Sequence, residues 1–149
     1  MNTRDIDQKL ADISQFRGAY ACDLLPAKPN GDFSLVINTD DSSAPGDHWL
    51  VLARKNEKLF FIDSYGRDYR DPTFDPNFKK LIMNYIGEEK VVCNRKWLQR
   101  LTSNVCGEYC VYFIRELSEK SFRSCFSVFG VNLAANDLLV LTYVKSLTI

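Results

Sequence analysis

Histidine is almost absent from this sequence, and that scarcity limits the chemistry open to it. The 149 residues include one histidine, His48, and five cysteines. No two cysteines have the C-x-x-C spacing typical of zinc ligands, so the sequence predicts no structural metal site. An odd number of cysteines also excludes a complete set of internal disulfides. If the chain pairs a cysteine with a histidine for catalysis, the histidine must be His48.

An excess of one charge and long apolar runs are missing as well. The 19 basic and 19 acidic residues give a formal net charge of zero, which does not favour nucleic-acid binding. No apolar run reaches the roughly 18 residues expected of a membrane-spanning helix. The polar start, MNTRDIDQKL, lacks the pattern of a signal peptide. We therefore expect a protein that is not secreted and that acts in the nucleus or cytoplasm. Thiols stay reduced in these compartments.

What the sequence has in quantity is apolar and aromatic residues, which predict one folded domain over residues 1–149. The strands of the predicted hairpin in residues 48–66 are apolar on both faces, which is typical of a central sheet covered on both sides. The pattern predicts an α+β fold, or a layered αβα sandwich. The predicted helices are 3–14, 76–86, 106–121 and 136–147, and the predicted strands are 33–40, the two of the hairpin, and 89–99.

The stretch TSNVCGEYC holds two cysteines on the buried face of one predicted helix. Free cysteine is usually a small core residue, and we interpret Cys110 in that way because it lies one turn inside the helix. Cys106 differs, because Asn104 is a good N-cap and would place Cys106 in the first turn. Unpaired N–H groups and the helix dipole favour a reactive thiolate there. The sequence therefore predicts Cys106 as the nucleophile.

A cysteine nucleophile needs a base, and the base needs an orienting group. If the hairpin turn is centred between Lys55 and Asn56, the numbers of opposite residues sum to 111, which places His48 opposite Asp63. A carboxylate at that position would orient the imidazole and stabilise its protonated form. Gln99, at the predicted end of a strand, could donate to the oxyanion together with the Cys106 backbone N–H.

These residues, in this order, resemble the adenovirus-type cysteine proteases (adenain family), within the larger group that includes the Ulp/SENP SUMO proteases. The similarity runs through VINTD, GDHW, FFIDSYG, Gln99 and VCGEYC and covers roughly residues 16–117. It implies His48 as general base, Asp63 as its orienting acid, Cys106 as nucleophile and Gln99 in the oxyanion hole. It also implies a central mixed sheet with the cysteine helix packed against it. The adenoviral enzymes have glutamate at the Asp63 position, whereas the Ulp-like members have aspartate.

The resemblance implies a viral maturation endopeptidase that cuts capsid or core precursors in the host nucleus or cytoplasm, or in the virion. Three alternatives stay open: a peptidase for SUMO-like or ubiquitin-like conjugates, an acyltransferase, and a binding module that kept the fold and lost the chemistry. The chemistry itself requires no cofactor. This chain is shorter than the adenoviral enzymes, mostly at the C-terminus, which argues against their activating peptide and DNA as partners here.

Overall fold

The computed structural model describes residues 1–147; the predicted domain of residues 1–149 includes two positions outside that range. Within the described residues, helices and strands are mixed in an α+β arrangement, as predicted. None of the described helices is both long enough and apolar enough to cross a membrane. In chain order the elements are α1 (Thr3–Lys9), β1 (Phe16–Ala21), β2 (Phe33–Asn38), β3 (Trp49–Lys55), β4 (Lys58–Ile62), α2 (Pro76–Ile86), β5 (Val91–Cys93), α3 (Cys106–Leu117), α4 (Phe122–Cys125) and α5 (Leu133–Lys145).

The strands form a single mixed sheet in the order β1-β2-β3-β4-β5. The central strands β2, β3 and β4 run antiparallel, while β1 pairs parallel to β2 and β5 pairs parallel to β4. The turn between β3 and β4 is Asn56–Glu57, and both residues have positive φ, which matches the tight turn that joins twisted strands. The predicted mixed sheet is therefore confirmed.

Both faces of the sheet are buried, which explains strands that are apolar on both sides. One face packs against α1, α3 and α5 through Val36, Trp49, Val51, Ala53, Phe60 and Ile62. The other face packs against α2 through Phe33, Leu35, Ile37, Leu50, Leu52, Leu59 and Phe61. The sheet is thus the middle layer of an αβα sandwich, and the helix that begins at Cys106 belongs to the first face.

The residues that begin and end a helix were predicted best for α2. The Asp75 side chain caps the helix, Pro76 is its first residue, and Gly87 ends it with a φ of 64°. The predicted first helix is shorter in the structure, because α1 ends at a C-cap on Leu10 instead of continuing to residue 14. The last helix begins earlier than predicted, after an N-cap on Asn132.

Two elements were not predicted, and one predicted strand is much shorter. The sequence analysis assigned no structure to β1, whose regularity is broken by Gly18 at a φ of 117°, or to the short helix α4. The strand predicted over residues 89–99 is limited to Val91–Cys93, because the backbone turns at Arg95 with a φ of 50°. Gln99 consequently lies in an irregular segment instead of at the end of a strand.

Candidate active site

The start of β3, the end of β4 and the start of α3 lie close together, and the predicted residues meet there. His48 lies just before β3, Asp63 just after β4, and Cys106 is the first residue of α3. The helix packs on the face of the sheet to which Trp49 and Ile62 also contribute. This shared layer explains how residues distant in sequence become neighbours in space.

The predicted hairpin register was wrong by two residues. Val51 lies opposite Ile62, so the numbers of paired residues sum to 113 instead of 111. Extending this register by three residues puts His48 opposite Tyr65, and the two rings stack with centroids 4.8 Å apart. Asp63 is then the diagonal neighbour of His48. A shift of two preserves the face of every side chain, and for that reason the predicted contact still forms.

His48 and Asp63 are joined by a short, buried hydrogen bond. The His48 Nε2 atom lies 2.6 Å from Asp63 Oδ1, and both side chains are buried. Burial favours a neutral carboxyl, but the hydrogen bonds and charges of His48 and Arg67 outweigh it and hold the pKa of Asp63 below its ordinary value. The carboxylate is thus kept ionised where it can stabilise a protonated imidazole.

Two residues besides His48 hold Asp63 in place. Arg67 Nε donates to Asp63 Oδ2 over 2.6 Å, and the guanidinium lies 3.9 Å from the centre of the Phe74 ring. Asn94 accepts from the Asp63 backbone N–H at 3.0 Å and donates to the Asp63 carbonyl at 2.7 Å. These contacts fix the carboxylate before any substrate binds. Sequence reasoning missed Arg67 and Asn94, because nothing in their spacing marks them as partners of Asp63.

Cys106 lies at the start of α3 and is 9% exposed. The predicted cap was wrong: the N-cap is Val105, whose side chain has no acceptor, and not Asn104. The first-turn position of Cys106 survives this correction, because α3 still begins there. The Trp49 backbone N–H points at Cys106 Sγ from 3.5 Å. The sulfur therefore lies where backbone donors and the helix dipole favour negative charge.

The thiol and the imidazole shift each other's protonation. Burial raises the pKa of Cys106, but the hydrogen bond and charge of His48, with backbone N–H groups of Trp49 and Gly107, outweigh it and lower that pKa below its ordinary value. Burial lowers the pKa of His48, but Asp63 and Cys106 together raise it to about 9. Because Asp63 occupies Nε2, the remaining ring nitrogen, Nδ1, is left for the thiol.

Cys110 lies one turn deeper in the same helix and has the opposite character. It is 2% exposed, and burial together with nearby negative charges raises its pKa well above the ordinary value. A thiol that stays protonated and is sealed by packing cannot act as the nucleophile. The two cysteines therefore lie in different environments, and their different roles stay a prediction.

Gln99 is fully buried, and two serines orient its side-chain amide. The Ser64 hydroxyl donates to Gln99 Oε1 at 2.6 Å, and Gln99 Nε2 donates to the Ser103 carbonyl at 3.1 Å. A backbone carbonyl can only accept, so the amide nitrogen must face Ser103 and the amide oxygen must face Ser64. The same nitrogen also lies 3.2 Å from the Ser103 hydroxyl oxygen. The NH₂ group carries two hydrogens, so an oxyanion in the cleft would compete with the Ser103 hydroxyl for one of them.

A cleft of about 700 Å³ opens over these groups. His48, Gln99 and Cys106 all contribute to its lining, and Tyr65 and Leu101 extend its wall. The cleft is large enough to accept a segment of polypeptide, and the thiol lies within it. Within residues 1–147, no group of three or more His, Cys, Asp or Glu side chains is arranged to hold a metal ion.

Comparison with known proteins identifies a similar fold but does not establish the activity. The chain matches no protein-family model and no curated protein sequence. Among solved structures it is similar to the ASFV pS273R protease, with a TM-score of 0.55 and 16% sequence identity. The alignment covers 94% of this chain and 66% of the protease, so the chain spans just under two thirds of that protein's length. The α+β fold with a mixed five-stranded sheet is therefore that of a known protease.

Proposed function

We propose that this chain is a cysteine endopeptidase in which Cys106 is the nucleophile, His48 the acid–base group and Asp63 its orienting carboxylate. The observation that carries the proposal is the position of His48 between two partners. Its Nε2 atom lies 2.6 Å from the buried Asp63 carboxylate, and, against the effect of burial, its hydrogen bond and charge lower the pKa of the Cys106 thiol. Such a chain of three groups activates a cysteine for attack on a carbonyl carbon.

In the first half of the reaction, the Cys106 thiolate attacks the carbonyl carbon of the scissile peptide bond. The carbonyl oxygen becomes an oxyanion, for which the Gln99 amide and the Cys106 backbone N–H are the proposed donors. When the carbon–nitrogen bond breaks, the protonated His48 gives its proton to the leaving amine. The N-terminal half of the substrate then remains on Cys106 as a thioester.

In the second half, water replaces the departed amine. His48, now neutral, takes a proton from that water as its oxygen attacks the thioester carbon. The carbon–sulfur bond breaks, the carboxylic acid leaves, and Cys106 returns to the thiolate beside a protonated His48. The Asp63 carboxylate stays ionised throughout and stabilises the imidazolium in each half.

For substrates, we propose precursor proteins of a viral particle. This step rests on the resemblance of the site motifs and on the similarity in fold to a viral protease. The alternatives are a peptidase for SUMO-like or ubiquitin-like conjugates, and a binding module without chemistry. The intact set of His48, Asp63, Gln99 and Cys106 favours an enzyme. An activating peptide or DNA remains an open proposal, independent of the chemistry.

A cleavage assay tests the proposal. Purified protein is incubated with virion precursor polypeptides and, separately, with SUMO-like and ubiquitin-like fusion proteins, and the products are identified by intact mass. We expect internal cleavage of a precursor, with each cut adding the mass of one water across the two products. Cleavage only at the tag junctions would identify a peptidase specific for ubiquitin-like proteins. Intact substrates in both sets, with and without a viral peptide or DNA added, would contradict the proposed activity.

A further inference from the structure

The segment that carries Gln99 is held on one side through the carbonyl oxygen of the preceding residue, Leu98. The hydroxyl of Tyr109, on α3, lies 3.1 Å from that oxygen. The side-chain nitrogen of Asn136, on α5, donates to the same oxygen at 3.2 Å. Both hydrogen bonds are buried, and both come from helices on the face of the sheet that holds the nucleophile.

The backbone N–H groups of this segment are hydrogen-bonded as well. The backbone N–H groups of Leu98 and Gln99 both donate to the Ser64 carbonyl, at 2.8 and 3.1 Å. The peptide between residues 98 and 99 is therefore clamped between the loop after β4 and the two helices. Once its backbone is fixed there, the Gln99 side chain has little freedom to leave the cleft that it lines together with Cys106.

Asn136 and Tyr109 are themselves held in place. The Asn136 side chain accepts from the Gly130 N–H at 3.0 Å and donates to the Gly130 carbonyl at 2.9 Å, which fixes the orientation of its amide. The Tyr109 hydroxyl also lies 2.8 Å from Asp137 Oδ1, on α5, so its single hydrogen is shared between that oxygen and the Leu98 carbonyl. The clamp on Leu98 is thus part of a network of buried polar groups that links α3, α5 and the Gly130 backbone.

We propose that Tyr109 and Asn136 are positioning residues for the oxyanion hole: they hold the Leu98 carbonyl so that the Gln99 amide is placed against Cys106. This inference rests on the proposed function, because an oxyanion hole has meaning only for a carbonyl substrate. It also gives α5, which lies outside the segments that carry the family resemblance, a role in the reaction.

The test compares Tyr109→Phe with Tyr112→Phe. Both side chains are buried on α3. The Tyr112 hydroxyl, however, donates to the backbone carbonyl of Cys125 at 2.9 Å and does not contact Leu98. For Tyr109→Phe we expect kcat on the cleaved precursor peptide to fall about tenfold with KM unchanged, part of the loss typical of removing an oxyanion donor outright. Tyr112→Phe should keep the wild-type kcat. Alkylation of Cys106 by iodoacetamide should be the same in all three proteins, because displacement of iodide creates no oxyanion.

A double-mutant cycle separates positioning from general destabilisation. In a Gln99→Ala protein, adding Tyr109→Phe or Asn136→Ala should cause no further loss of kcat, because the group they position is gone. Full additivity of the losses, or equal losses of cleavage and of Cys106 alkylation, would overturn the inference. Asn136→Ala provides a second route if Tyr109→Phe folds poorly.

A spectroscopic measurement decides the inference even if the chain cleaves no peptide. The side-chain amide signals of Gln99 are identified in a nitrogen-15 spectrum by their absence from Gln99→Ala. We expect them to shift in Tyr109→Phe and Asn136→Ala and to stay in place in Tyr112→Phe. Unchanged Gln99 signals in both clamp variants would overturn the positioning role. Shifted signals in a chain that lacks proteolysis would contradict only the proposed function.

Discussion

We expect that replacing Cys106 by alanine will abolish proteolysis, and that replacing Cys110 by alanine will leave the activity per folded molecule close to wild type. Only Cys106 borders the cleft, contacts the Trp49 N–H and has a pKa lowered by His48. Without a nucleophile at that position we expect kcat to fall by roughly 10⁴-fold or more. The Cys110 thiol is sealed in the core, so its loss costs on the order of 1 kcal/mol of unfolding free energy through lost packing.

The two variants are matched controls for each other, because they differ by one turn of the same helix. Thermal unfolding gives the stability of each protein, and cleavage of a precursor peptide gives its activity. A folded Cys110→Ala protein without activity, beside an active Cys106→Ala protein, would reverse the assignment of the nucleophile.

The second large effect is expected from Asp63→Asn. An amide cannot stabilise the imidazolium at His48 as a carboxylate does, and it can donate to the ring and so select the wrong tautomer. We expect a loss of kcat on the order of 10²–10⁴. The pH profile should change as well. The Asp63 charge is one of the causes that raise the pKa of His48 to about 9, so the variant should lose protonated His48 at lower pH.

Asp68→Asn is the control for this substitution. Asp68 lies in the same loop and also pairs with an arginine, Arg70, over 3.1 Å, but it has no contact with His48 among its hydrogen bonds and ion pairs within residues 1–147. It should keep the wild-type kcat. Equal activity of Asp63→Asn and wild type at neutral pH would remove Asp63 from the mechanism.

The sequence was sufficient to predict the α+β class and most helices and central strands, because their signals are local. Asp75, Pro76 and Gly87 mark the ends of α2, and the strands that are apolar on both faces indicate a sheet covered on both sides. The signal was weak for β1, where Gly18 interrupts the strand, and for β5, where Arg95 ends it early. Such departures depend on tertiary contacts that no short window of sequence contains.

The hairpin shows how a partly wrong prediction gave the right neighbours. The turn residues Asn56 and Glu57 lack the Asn-Gly signature of their turn type, so the sequence placed the centre of the turn one residue too early. That error moves the register by two residues and leaves every side chain on its predicted face. His48 and Asp63 therefore still meet, but as diagonal neighbours, and Tyr65 takes the opposite position that the prediction gave to Asp63.

The supporting residues of the site could not be found from spacing. Asn94 and Arg67 reach Asp63, and Ser64 orients Gln99, only because two loops converge behind the cleft. The contact between Asn136 and Leu98 joins residues 38 positions apart. Their types are common in any loop or helix, so their roles become visible only in three dimensions.

The central claim is that Cys106 and His48 form a thiolate–imidazolium pair, and the pH dependence of alkylation at each cysteine tests it most directly. The protein is treated with iodoacetamide across a pH series, and each cysteine is quantified by mass spectrometry. Burial raises the pKa of the other four, to about 11 for Cys22 and Cys125, whereas the pKa of Cys106 is lowered.

We predict that Cys106 is labelled below pH 7, where the other cysteines stay unreacted, and that His48→Ala moves its profile up towards that of an ordinary thiol. The direction of this shift in the alkylation profile follows from the charge of His48. His48 is protonated below a pKa of about 9, so its charge stabilises the thiolate throughout the neutral range and is lost in the variant. A wild-type Cys106 that titrates like an unperturbed cysteine, with a profile unchanged in His48→Ala, would contradict the account.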